Sequence, residues 1–171
     1  MPETVPEPWL RGVRPGMDPV VGHLLRASEQ IREDVERAIT PLSLEQLWAK
    51  PQGMTSAGFH AKHLAGSTDR LCTYLEGSQL STAQLEAMER EEEGAESASE
   101  LISRVSAGLQ RYEQLIRELN PERFGEIREV GRKRLESTAI SLAIHIAEHG
   151  QRHTGQLISA AKLARAFVAL R

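Results

Sequence analysis

The amino-acid sequence predicts an all-α protein, a bundle of four long helices. Three observations predict it. Apolar residues return at spacings of three and four over four long stretches, as helices with one buried face require. Only three Phe, two Trp and two Tyr occur among 171 residues, so the core must come mostly from Leu, Ile, Val and Ala. No segment of useful length alternates apolar and polar residues as a half-buried strand would. The length fits one domain with a core of its own. Hydrophobic residues at 40% and charged residues at 26% match the balance of an ordinary soluble globule.

Residues 1–17 contain Pro2, Pro6, Pro8 and Pro15, which favour extended backbone over helix. They are predicted to form an extended N-terminal arm, pinned by Trp9 and Leu10, ahead of a bundle domain at 18–171. The first helix starts from Asp18, a good N-cap, and runs to about residue 38 on Val21, Leu24, Leu25, Ile31 and Val35. Pro41 ends it. Ser43 and Gln46 have capping-box spacing and predict a short helical turn through Trp48. The segment PQGMTSAG that follows reads as loop.

The second helix is predicted over about 56–76, with Gly77 as its stop. Ser81 and Gln84 open a short helix to about Arg90. The acidic run EREEEGAES reads as a solvated connector rather than a cation site. Ser97 and Glu100 cap the third helix, 97–119, whose buried stripe is Leu101, Val105, Leu109, Tyr112, Ile116 and Leu119. Asn120 and Pro121 close it. A mixed, basic stretch at 121–136 precedes the fourth helix, 137–166, which at 1.5 Å per residue is roughly 40–45 Å long.

A formal charge of −3 gives no electrostatic reason to expect nucleic acid as a partner. Cys72 is the sole cysteine, so no internal disulfide framework is expected and a reducing, cytoplasmic setting is. The N-terminus lacks the basic and apolar regions of a signal peptide. No apolar run approaches the roughly 18–20 residues of a membrane span.

The chemistry concentrates in two helical segments. HIAEHGQRHTGQL carries His145, His149 and His153, and FHAKHLAGS carries His60 and His63. Histidines three or four apart share one side of a helix and can close on a single ion without bending the backbone. On the last helix, Leu142, Ile146, His149, His153, Gln156 and Ala160 follow one stripe pointing into the bundle. Imidazoles buried there without partners would be costly, and one metal ion satisfies several together. HIAEH also matches the string of inverted zinc proteases, with Glu148 as base. No acidic residue follows His149, so their downstream ligand is missing. Paired Glu-x-x-His motifs of di-iron bundles are absent too.

The two segments together resemble the DinB/YfiT-like superfamily, four-helix bundles with a helix-2 "HL" histidine and a terminal HxxxHxGQ motif. The resemblance covers roughly 18–165. It implies His63, His149 and His153 as the metal ligands, leaving His60 and His145 to supporting or cavity roles. It also implies thiol-dependent transferases and related isomerases, although His145 with His149 has the same spacing as the implied pair.

Neutral imidazoles accept Zn²⁺, Ni²⁺, Fe²⁺ or Mn²⁺, and zinc or nickel is favoured here. A three-histidine ion can stabilise a thiolate or activate water. The expected function is therefore a metal-dependent S-transferase that joins a low-molecular-weight thiol to an electrophile. The alternatives are a non-catalytic metal- or small-ligand-binding bundle associated with stress, and a metal-dependent hydrolase. Arg132, Lys133 and Arg134 could hold carboxylates of the thiol near the mouth. Cys72, without an evident basic partner, reads as core rather than nucleophile. The expected partner is a small-molecule substrate, with a homodimer left open and neither nucleic acid nor membrane involved.

Overall fold

A computed structural model of the chain describes residues 5–169. Four long helices form the bundle: α1 (Pro19–Ile39), α3 (Ala57–Leu75), α5 (Ala98–Glu118) and α6 (Ala139–Ala169). Two short helices, α2 (Leu44–Trp48) and α4 (Thr82–Glu89), lie in the connections. A hairpin of β1 (Ile127–Val130) and β2 (Leu135–Thr138) precedes α6.

The helix starts follow local chemistry. The Asp18 carboxylate accepts from the amides of Val20 and Val21 at the head of α1. Ser56 caps α3 by accepting from the Phe59 amide. Reciprocal capping boxes open α2, α4 and α5, pairing Ser43 with Gln46, Ser81 with Gln84, and Ser97 with Glu100. Each satisfies two amides that the first turn leaves unpaired. Gly77 follows α3 at φ 87°, a backbone state an L side chain would strain.

Around the bundle, α3 contacts α5 and α6, and α1 contacts the same two. The pairs α1/α3 and α5/α6 therefore lie on the diagonals. Two apolar cores set the directions. One gathers Ile31, Val35 and Ile39 with Ala57, Ala61, Leu101, Val105 and Leu157. The other gathers Val21, Leu24 and Leu25 with Cys72, Tyr112, Ile116, Leu142 and Ile146. Hence α1 and α6 run one way and α3 and α5 the other. The α3–α5 connection must cross the length of the bundle, and α4 with the acidic connector makes that return. A polar middle layer is left between the two cores.

Several expectations need correction. Residues 127–138 form a two-stranded antiparallel hairpin in register Val130↔Leu135, where sequence periodicity shows no strand. Neither strand has a fully buried residue; the backbone ladder, a turn at Gly131 (φ 73°) and Arg134 (φ 49°), the packing of Val130 on the second core and the Arg128 bond to the Leu75 carbonyl hold it. The arm is not wholly extended: Pro8–Leu10 form a 3₁₀ turn. Nor do Trp9 and Leu10 pin it, being 59% and 56% exposed. Arg11 does so through a two-pronged pair with Glu33 at 2.5 and 2.8 Å, and Arg14 pairs with Glu29. The PQGMTSAG loop likewise contains a 3₁₀ turn at Pro51–Gly53. The predicted first residues of the arm, 1–4, lie outside the described residues. Among the described residues, no helix is long and apolar enough to cross a membrane.

Candidate metal centre

Antiparallel packing of α3 against α6 brings His60 and His63 opposite His149 and His153. His63, His149 and His153 each offer a nitrogen within 4.8 Å of those of the other two, an arrangement that could hold a metal ion. The Nε2 atoms of His63 and His149 stand 3.1 Å apart. Imidazole nitrogens bound tetrahedrally at about 2.0–2.1 Å lie roughly 3.3 Å from each other, so the donor set fits one ion with little movement. The His63 and His153 ring centroids are 4.3 Å apart, and those of His149 and His153 are 4.5 Å apart.

The flanking contacts leave nitrogens facing inward. His60 is buried, and its Nδ1 shares a hydrogen bond with His153 Nδ1 at 3.2 Å. That leaves Nε2 of His153 for another partner. On the other side, His63 Nδ1 lies 2.6 Å from Glu91 Oε2, and Arg70 donates to Glu91 Oε1 at 2.6 Å. An ionised carboxylate can only accept, so His63 carries its proton on Nδ1. Burial by itself would raise the Glu91 carboxyl, but the bonds from His63 and Arg70 outweigh it and hold it below the usual carboxylate range.

Burial pushes His149 and His153 down to about 4, helped by their closeness to His63. Burial and His63 lower His60 as well. Imidazoles crowded in this way stay neutral near pH 7, the form that binds a metal.

The sequence of residues 27–157 matches the DinB superfamily. The chain belongs to that superfamily. The matched span holds all four of the clustered histidines. No curated protein matches the chain. As a DinB-superfamily bundle, the chain places its histidines unequally. His145 stands at the outer edge of the cluster, its ring centroid 5.7 Å from that of His149, with its side chain 47% exposed and its Nδ1 4.0 Å from Glu148. Glu148 is itself 65% exposed. His23 is exposed on α1.

Two parts of the sequence reading change at this site. Gln156 is exposed rather than in the inward stripe, and Leu157 is the buried residue at that level. The acidic run is not wholly solvated either, because Glu91 is only 6% exposed and reaches the cluster. Nothing in the acidic run singles out Glu91 from its neighbours. The one sequence signal is Gly66 in α3, where an added Cβ would lie 2.6 Å from Glu91 Oε1.

An open cleft of about 480 Å³ reaches the cluster from the side of His60, lined also by Thr55, Arg152, Gly155, Gln156 and Ser159. Arg132, Lys133 and Arg134 do not line it. They lie in the hairpin turn, where Arg134 pairs with Glu129 at 2.6 Å. Cys72 is fully buried, and burial pushes its thiol up to about 12, so it serves packing rather than nucleophilic attack.

Proposed function

We propose that this DinB-superfamily chain is a divalent-metal-dependent thiol transferase. His63, His149 and His153 would hold the ion, zinc or nickel by preference, although a neutral-imidazole donor set accepts iron or manganese as well. Such an ion, when bound, supplies the positive charge that stabilises a thiolate over a thiol. One observation carries the reading. Among the described residues, the cleft that meets the histidine cluster at His60 has no carboxylate in its lining.

Neither Glu91 nor Glu148 is placed to serve as a general base. Both oxygens of Glu91 are engaged, and Glu148 points outward beside His145. Hydrolysis ordinarily draws on a general acid or base beside the reacting centre, whereas a thiolate, once formed, attacks an electrophile without one. The overall reaction is then balanced simply. A thiol S–H loses its proton, the sulfur pair forms a C–S bond to an electrophilic carbon, and the leaving group departs with the electrons of the broken bond. With an epoxide, that departing atom is the ring oxygen, which takes up a proton.

The chain's own residues would orient the reactants. Arg152 lines the cleft without a carboxylate partner among the described residues and would bind an acidic group of the thiol. Thr55, Gln156 and Ser159 supply hydroxyl and amide groups along the same wall. The buried His60 would keep His153 turned toward its neighbours through the Nδ1 contact.

The test is a panel of low-molecular-weight thiols assayed with an epoxide or activated aromatic electrophile on metal-loaded protein. Thiol-dependent turnover that His153→Ala abolishes is the expected result. Metal-dependent ester or amide hydrolysis with no thiol requirement would replace this reading with a hydrolase. Metal uptake without turnover of either kind would leave a binding protein.

A further inference from the structure

Glu91 is the one fully buried carboxylate of its acidic segment among the described residues. Glu92, its neighbour, has a side chain 77% exposed, whereas that of Glu91 is 8% exposed. The connector that carries it is tied down on both sides. Lys62 donates to the Glu93 carbonyl at 2.7 Å and pairs with Glu96 at 3.0 Å. The Trp48 indole donates to the Glu96 carbonyl at 2.9 Å and lies against Gly94.

Three features of the chain work against stability so that this carboxylate can sit where it does. Glu91 is withdrawn from water, Arg70 is buried with it at 8% exposure, and a glycine, Gly66, stands in the middle of α3. A buried ion pair is often no more stabilising than apolar residues of the same volume. A glycine inside a helix costs about 1 kcal/mol relative to Ala. Pairing with Arg70 occupies one carboxylate oxygen, and the other is turned to His63.

We propose that Glu91 is a positioning residue of the metal centre, its carboxylate fixing His63 with the proton on Nδ1 and Nε2 presented to the ion. Arg70 sets the orientation of the carboxylate, and Gly66 makes room for it. Histidine ligands whose outer nitrogen is held by a carboxylate bind metal more tightly and in one tautomer, and losing that partner typically costs about 10–100-fold in affinity. The proposal rests on the metal-site part of the functional reading and on none of its thiol chemistry.

Glu91→Gln gives a specific prediction. A glutamine would turn its oxygen to Arg70 and its amide N–H to His63, which then must accept at Nδ1 and carry its proton on Nε2. Gly66→Ala reaches the same end from the other side. Its Cβ would crowd both the carboxylate oxygen at 2.6 Å and the Arg70 Nη1 at 2.9 Å and so displace the pair, while improving the helix and removing no charge.

The experiment measures Zn²⁺ affinity by competition with a chromogenic chelator, and the His63 tautomer of the metal-free protein by ¹⁵N NMR. Wild type, Glu91→Gln, Gly66→Ala and the exposed control Glu92→Gln are compared, each checked for helicity. The expected result is binding about 10–100-fold weaker in Glu91→Gln and Gly66→Ala, unchanged binding in Glu92→Gln, and an Nδ1-protonated His63 that switches to Nε2 in Glu91→Gln. Wild-type zinc binding with Glu91→Gln and Gly66→Ala within threefold of it would overturn the role of Glu91 alone. An Nε2-protonated His63 in the wild type would do the same. Failure of the wild type to bind zinc would overturn the metal reading and this assignment with it. No thiol enters the measurement, so loss of the transferase reading would leave its outcome intact.

Discussion

The middle layer of the bundle buries polar groups on two opposite faces, and the two are built differently. Between α1 and α5, the Ser28 hydroxyl donates to Glu113 at 2.7 Å and Arg32 donates to the same oxygen at 2.6 Å. Donors and acceptor there are complementary, and the face closes on itself. Between α3 and α6, four imidazoles meet one another. Like groups can share only one proton per contact, so nitrogens remain facing inward, and among the described residues no cationic side chain donates to them. A polar layer of opposite charges is a structural fastening. A polar layer of repeated bases could hold a positive ion.

The sharpest way to break this contrast is to remove imidazoles from one face and the carboxylate from the other. His149→Ala or His153→Ala should abolish stoichiometric metal uptake, read by elemental analysis of protein purified without an affinity metal. His23→Ala and Glu113→Ala should leave uptake unchanged. If all of the cluster variants retain full metal, the receptor reading of the α3/α6 face is wrong.

Stability should show the reverse order. Glu113→Ala strands the fully buried Ser28 hydroxyl and the Arg32 guanidinium, at an expected cost of about 1–3 kcal/mol in urea unfolding. Metal loading should raise the stability of the wild type by about 2.7 kcal/mol at a free concentration 100 times Kd, and it should do so equally in Glu113→Ala. An unequal gain would mean that the two faces are coupled.

Acid separates the faces further. His149 and His153 are held near 4 in the fold, below the value of about 6.5 for free histidine. The unfolded chain therefore binds protons first. Their contribution to the metal-free protein is fully present above about pH 6.5 and is lost as the pH falls toward about 4. Urea midpoints should drop from pH 7.5 to pH 5, and the drop should shrink when both histidines are replaced by Ala. A pH-independent midpoint in that window would show that these imidazoles are not desolvated.

The smallest effects come from two glycines on α6. A Cβ at Gly150 would lie 2.6 Å from Ile31 Cδ1, whereas one at Gly155 would meet nothing within 4 Å. Gly155→Ala should stabilise by up to about 1 kcal/mol. Gly150→Ala should lose most or all of that gain to overpacking. Thermal unfolding of the metal-free variants compares the two directly, and equal shifts would show that α6 is not packed closely on α1 at Gly150.

Local chemistry made much of this molecule readable from its sequence. The apolar stripes of α1 and α5 are buried as their spacing predicts, and the Ser-x-x-Gln and Ser-x-x-Glu boxes cap the helices they announce. Histidine spacing on α3 and α6 likewise marks two candidate half-sites, because a helix fixes which residues share a side within four positions. What lies across a gap is different. The exposure of His145, the meeting of His60 with His153, and the turning of Gln156 to solvent depend on the rotation of α6 against α3. The burial of Glu91 depends on the course of a connector that must return along the bundle. The hairpin at 127–138 depends on pairing between backbones whose side chains are nearly all polar or exposed. Spacing along one helix is set by covalent geometry, whereas contacts between segments are set by packing of the whole chain, and no single segment encodes them.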